Sequence, residues 1–122
     1  MVETPEYERD DVEYNDMLLM VVGDEPITGQ VVVRNAAGVI VESVDYFHGI
    51  KHGSSREFYD NGVRKSVIEF QAGVPQGTGM AWWQSGALKA EVLYDGGDVV
   101  SAREWDPAGN ERAVTKRDPI QG

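Results

Sequence analysis

The sequence predicts an all-β chain: an elongated antiparallel β-meander built from hairpin units about 24 residues long. Three observations carry this. Glycines recur in register, at Gly38, Gly62, Gly86 and Gly109, at Gly49, Gly73 and Gly97, and at Gly29, Gly53 and Gly77. Aromatic and β-branched residues keep the same phase: Phe58, Trp82 and Trp105; Tyr46, Phe70 and Tyr94; Val44, Ile68 and Val92. Between the glycines the side chains alternate from one residue to the next, which is strand periodicity and not helix periodicity. Self-similarity at a fixed period marks stacked supersecondary units.

Taken in order, residues 1–16 form an acidic arm. Seven carboxylates, Asp10 and Asp11 among them, face Arg9 alone, a charge of −6. A short helix after Pro5 is one reading of this arm; its charge favours a solvated tail. The repeat domain spans residues 17–112. Met17–Val22 reads as a leading strand of the array and Asp24–Gly29 as its turn. Three units follow at 29–52, 53–76 and 77–99, then a half-unit from Val100 that turns at Asp106–Gly109. In the central unit Asp60-Asn61-Gly62 is a hairpin turn, because Asn and Gly accept φ > 0 at low cost. Val63–Phe70 alternates as a strand, and Ala72–Gly77 reads as a second, wider turn in which Pro75 ends the strand. Residues 113–122 are polar, carry Pro119 and are expected to fray.

One sheet has two faces and few spare elements to cover them. The repeated aromatics are expected to do so, with Phe58, Trp82 and Trp105 stacked in one ladder and Tyr46, Phe70 and Tyr94 in another. Neighbouring strand residues face opposite ways. Tyr59 and Trp83 then fall on the face away from Phe58 and Trp82, together with Lys65, Lys89, Glu69 and Glu91. That face is either a minor core under the N-terminal segment or an exposed aromatic pair ringed by charge, the composition of an interface hot spot.

The composition narrows the function classes. The chain has 122 residues, 11 Lys and Arg against 21 Asp and Glu, a net charge of −10 and no cysteine. A pI near 4.5 argues against gripping nucleic-acid phosphates or anionic lipid. It favours a basic protein partner. Without cysteine there is no disulfide framework and no thiolate metal site. Apolar runs are far shorter than a membrane span, and the N-terminus lacks the pattern of a secretory signal, so a cytoplasmic protein is expected. His48 and His52 are the only histidines, too few alone for a zinc site. Ser54 and Ser55 lack a nucleophile elbow, and no glycine-rich loop leads from strand to helix. These features predict a non-enzyme that needs no cofactor or metal.

Tyr46-x-x-Gly49-x-x-His52-Gly53 resembles the MORN repeat, whose units are short β-hairpins. Phe58-Tyr59-Asp60-Asn61-Gly62 and Gly73-Val74-Pro75-Gln76-Gly77 resemble more closely the variant MORN repeats of bacterial YwqK-family antitoxins, and Trp82-Trp83-Gln84-Ser85-Gly86 is similar with Ser for Asn. The resemblance covers residues 17–112. It departs from the pattern at Arg34-Asn35, which replaces the aromatic pair, and at Val100, which replaces a closing Gly. It implies an antitoxin or immunity protein that neutralises a toxic protein, of nuclease or deaminase type for example, by binding it. Tyr59 and Trp83 are then contact residues, with Glu69, Glu91, Asp10 and Asp11 as steering charge. The alternative is a structural or adaptor module that uses the sheet as an interaction scaffold.

Overall fold

The computed structural model describes residues 4–114 and 117–121. Residues 1–3 of the predicted arm and 115, 116 and 122 of the predicted tail lie outside that range. The strands are β1 (Glu6–Glu8), β2 (Glu13–Tyr14), β3 (Met20–Val22), β4 (Glu25–Pro26), β5 (Gly29–Arg34), β6 (Ile40–Phe47), β7 (Ile50–Phe58), β8 (Arg64–Gln71), β9 (Val74–Pro75), β10 (Gly77–Trp82), β11 (Leu88–Asp95), β12 (Asp98–Trp105) and β13 (Glu111–Arg112). From β5 onward they form one antiparallel meander that follows chain order, with β9 a short extension beside β8. The all-β meander read from the glycine phase is the fold.

Two turn types alternate, and each has a local cause. At one end of the sheet, Gly38, Gly62, Gly86 and Gly109 (φ 82° to 92°) donate their N–H to Asn35, Tyr59, Trp83 and Asp106, three residues earlier. Asx side chains at the first position support two of these turns. Asn35 Oδ1 accepts from Ala37 and Val39, and Asp106 Oδ1 from Ala108 and Asn110. The Asn110 N–H, with its neighbours, holds the Asp106 carboxyl below the ordinary Asp range. At the other end the predicted wider turns are two-residue turns with positive φ at both positions: His48-Gly49, Ala72-Gly73 and Gly96-Gly97. Positive φ at both central residues matches the right-handed strand twist. The glycine at the second position of each turn donates its N–H to the unit before, Gly49 to Ile27, Gly73 to Lys51 and Gly97 to Pro75, at 2.8–3.0 Å. Each unit is thus bonded to its predecessor at the same point.

The ends of the array depart from the sequence reading. The leading strand does not extend the meander. Only Met20–Val22 is strand, and with β2 and β4 it forms a separate three-stranded sheet. Over its described residues the arm is not a solvated tail, and its only helical piece is a single 3-10 turn at Arg9–Asp11. β1 lies parallel to β5, its Glu6 and Glu8 carboxylates pair with Arg34, and Val12 is buried. A carboxylate-rich segment orders here because Arg34 receives it and Val12 has a core to enter. The tail likewise docks over residues 117–121. Arg117 pairs with Glu104, the Tyr94 hydroxyl donates to Asp118, and Ile120 packs on Ile68, Val92 and Tyr94.

The arm and the tail cover the same face. Register places Val31, Val44, Ser55 and Ile68 in one row on it. Toward the N-terminus the small sheet seals Val31, Val44 and Tyr46 under Val12, Met20 and Ile27. Burial and the hydrogen bond between the Tyr14 and Tyr46 hydroxyls push the Tyr46 phenol far above its ordinary pKa. Gly79 makes room for the second cluster: a Cβ there would sit 2.9 Å from Tyr94 Cε2, 3.3 Å from Ile120 and 3.4 Å from Ile68. Gly79→Ala is therefore expected to overpack this cluster and destabilise the fold by about 1–3 kcal/mol, read as a lower urea midpoint. An unchanged midpoint would mean that the Tyr94 ring has another place to go.

Candidate functional site

A one-residue register shift recurs in each unit and decides which side chains meet. It falls between Val33 and Arg34, Glu57 and Phe58, and Ala81 and Trp82, leaving Val41, Lys65 and Lys89 as the extra residues, 24 apart. Such bulges break the strict alternation of a strand. Lys65 and Lys89 are thereby turned onto the covered face, where their ammonium groups lie 5.7 Å from the Tyr59 ring and 4.7 Å from the Trp83 ring. Phe58 and Arg64, then Trp82 and Leu88, become cross-strand pairs of the open face.

Tyr59 and Trp83 are half-buried and tied into the array. The Tyr59 hydroxyl donates to the Trp82 carbonyl at 2.7 Å, and Trp83 Nε1 donates to the Trp105 carbonyl at 3.2 Å. Asn35 Nδ2 does the same toward Asp60. Each reaches from the start of one turn to the next hairpin. The expected companions do not join them. Glu69 pairs with Ser54 and Glu91 with Met80 in open-face rows, and the Ser54 hydroxyl donates to Glu69. Asp10 and Asp11 sit exposed on the 3-10 turn Arg9–Asp11. The six residues expected at a contact site therefore occupy three separate places.

The two aromatic ladders lie on opposite faces and are not ring-on-ring stacks. In-phase residues are two strands apart, roughly 9–10 Å, beyond the 4.5–7 Å of contacting rings. Cations complete the contacts. Arg64 lies 4.2 Å over Trp82, Arg103 4.9 Å over Trp105, and Lys51 5.1 Å over Phe70. Trp82, only 8% exposed, is covered in this way on the open face. Arg34, Arg56 and Arg117 are held by carboxylates. Most bases are thus engaged within the chain, and the acids dominate what the surface presents.

Several large apolar side chains stand exposed in the Asn15–Leu18 turn and beside the two-residue turns. Met17 and Leu18 are 75% and 77% exposed, and Phe47, Ile50 and Val74 are also exposed. An apolar row runs along this end of the sheet, with Leu19 against Gly49, Ile50 against Gly73 and Val74 against Gly97. A groove of about 480 Å³ opens beside it, lined by Tyr14, Leu18, Tyr46, Ile50, Lys51 and Phe70 among others. Phe47 packs against His48 and His52, with ring centroids 4.2 and 5.9 Å apart, and His52 Nδ1 accepts the Ala72 N–H. Among the described residues no three His, Asp or Glu side chains converge as metal ligands. The chemistry on offer is apolar anchoring with an acidic surround.

Leu18 carries two costs at once. The turn Asn15–Leu18 copies the glycine turns: Leu18 donates its N–H to Asn15, and Asn15 Oδ1 accepts from Met17 and Leu19. In the other four the last residue is Gly; here a leucine takes φ 61°. Left-handed backbone costs a residue with a Cβ roughly 1–2 kcal/mol. The signal was in the sequence, since Asn15-x-x-Leu18 precedes Asn35-x-x-Gly38, but the apolar run Met17–Val22 reads as strand.

If Tyr59 clamps one hairpin to the next, removing only its donor should cost stability. Tyr59→Phe, which deletes the hydroxyl and keeps the ring, is expected to lower it by about 0.5–1.5 kcal/mol in urea titrations. No change would mean that the hydroxyl is satisfied as well by water.

Among the described residues no helix is long and apolar enough to cross a membrane. No family model, no curated protein and no solved structure matches the chain. The likeness to MORN-type repeats rests on the motifs themselves.

Proposed function

We propose that this chain is an immunity-type protein of the cytoplasm that neutralises a basic toxic protein by binding it, without catalysis of its own. One observation carries the reading: the Asn15–Leu18 turn holds a leucine in strained backbone and leaves it in solvent beside Met17, where every equivalent turn has glycine. Strain and exposed apolar surface both cost free energy, and such features mark sites held for a partner. The motif resemblance and the uncompensated acid support the same reading. Long-range charge speeds encounter with a basic partner, and the desolvated apolar row holds the complex.

Co-expression with the adjacent reading frame, scored for rescue of growth, is the direct test; absence of rescue and of any copurifying protein would sink the proposal. Leu18→Gly separates binding from folding. It should raise stability by up to about 1 kcal/mol, because glycine relieves the left-handed strain less its own entropic cost. It should also weaken the complex about tenfold or more, through faster dissociation with little salt dependence. A variant that is both more stable and equally tight would place the interface elsewhere.

A further inference from the structure

The two edges of the main sheet are finished differently. At one, β1 covers β5 and carries Glu6 and Glu8, locked to Arg34. Charge on a short strand discourages further pairing. At the other, β12 runs for eight residues but, among the described residues, pairs outward at only two, Glu104 with Arg112 and Trp105 with Glu111.

The repeat shows what the rest of that edge is built for. In the second unit the equivalent strand, β7, pairs with β8 from Phe58–Arg64 through Gly53–Phe70. Extending the period from β11, the matching strand beside β12 would run over 111–118. The chain leaves the edge after Arg112, and its described tail lies on the covered face, held by Arg117–Glu104 and by Ile120. The carbonyls of Ile27, Lys51 and Pro75 each receive the N–H of a turn glycine from the following unit. Val99 is next in that series. Gln121, which stands in phase with those glycines, gives its N–H to Asp118 instead. The Val99 backbone therefore faces the open side of the edge. Val100 beside it is 60% exposed, and the edge begins where the apolar row ends, at Val74 against Gly97.

We propose that the outer edge of β12, from Asp98 to Arg103, is a strand-docking site that takes an extended segment of the partner protein, antiparallel, in the position β8 holds beside β7. This rests on the reading that the chain works by binding a protein. Main-chain hydrogen bonds would supply affinity, and alternate side chains specificity. On the covered face the segment would meet Val99 and Ala102, which pack against the Tyr94 cluster, so it should carry an apolar β-branched or aromatic residue there. Opposite Asp98 a lysine or arginine fits.

The test uses the full chain, isotopically labelled, and a capped peptide with the sequence of Val67–Gln71, the part of β8 that fills this position in the second unit without overlapping the two pairs β13 makes. Two variants probe the edge. Val99→Pro removes an outward N–H, which edge strands tolerate, and Val100→Lys places a charge on it while keeping the backbone. The expected result is amide shift changes confined to residues 98–103 and the docked tail, about tenfold weaker in both variants, whose circular dichroism stays that of the parent. No shifts at millimolar peptide, shifts elsewhere, or variants that bind the peptide as tightly as the parent chain would overturn it. So would the same shifts on raising the chain's own concentration, which would put a second copy there. Growth rescue separates the two readings. Rescue that survives both edge variants leaves immunity standing and removes the edge from it. If the parent chain gives no rescue, immunity fails, and the peptide titration still decides the edge.

Discussion

A meander of hairpins makes a single sheet, and a single sheet has two faces to take out of water with no second layer to do it. The rest of this molecule follows from that constraint. The covered face is closed from its two ends, by the small N-terminal sheet over Val31, Val44 and Tyr46 and by Ile120 over Ile68, Val92 and Tyr94. The open face is closed by its own long side chains, with Arg64 laid over Trp82 and Arg103 over Trp105. A guanidinium over an indole keeps its charge wet while its stem shields the ring. This has an electrostatic consequence: bases spent on rings and carboxylates inside the chain leave the acids to set the outer field.

The phase of the glycines made the array legible because each turn needs positive φ at a fixed place. Gly38, Gly62, Gly86 and Gly109 sit at such places, as do Gly49, Gly73 and Gly97. The face of each side chain was less legible. Alternation put Glu69 and Glu91 beside Tyr59 and Trp83, but the bulges at Lys65 and Lys89 shift the parity between the turn and the strand. A bulge leaves no mark on composition, and its own period of 24 is hidden inside the period of the repeat. The ends were illegible for another reason. The arm and the tail are held by contacts far away in sequence, Glu6 and Glu8 to Arg34 and Arg117 to Glu104. Local polarity says nothing about such partners.

Strain is distributed unevenly along this frame. Ala72 and His48 take φ near 50° at the first position of two-residue turns, where the third turn has Gly96. Both belong to turns whose glycine, at the second position, bonds to the preceding unit, so the array itself holds them in place. Leu18 has no such support, since its turn belongs to the small sheet and not to the ladder of units. Among the described residues its conformation is the one departure from the turn rule that also exposes a large apolar side chain.

Inner units are built to resemble one another. Tyr59 and Trp83, Lys65 and Lys89, and the glycine-to-carbonyl bonds repeat at one period, and each joins a unit to its neighbour. A feature present in every unit sets length and stiffness, but it cannot by itself tell one partner from another. Discrimination needs surface that occurs once. Two stretches meet that condition: the Asn15–Leu18 turn, where leucine stands for glycine, and the outer side of β12, where the next strand stops after two residues. They lie at opposite ends of the array, joined by the apolar row through Ile50 and Val74. A partner that grips both would measure the number of units between them, so the repeat would set the reach of the site and the two ends its identity.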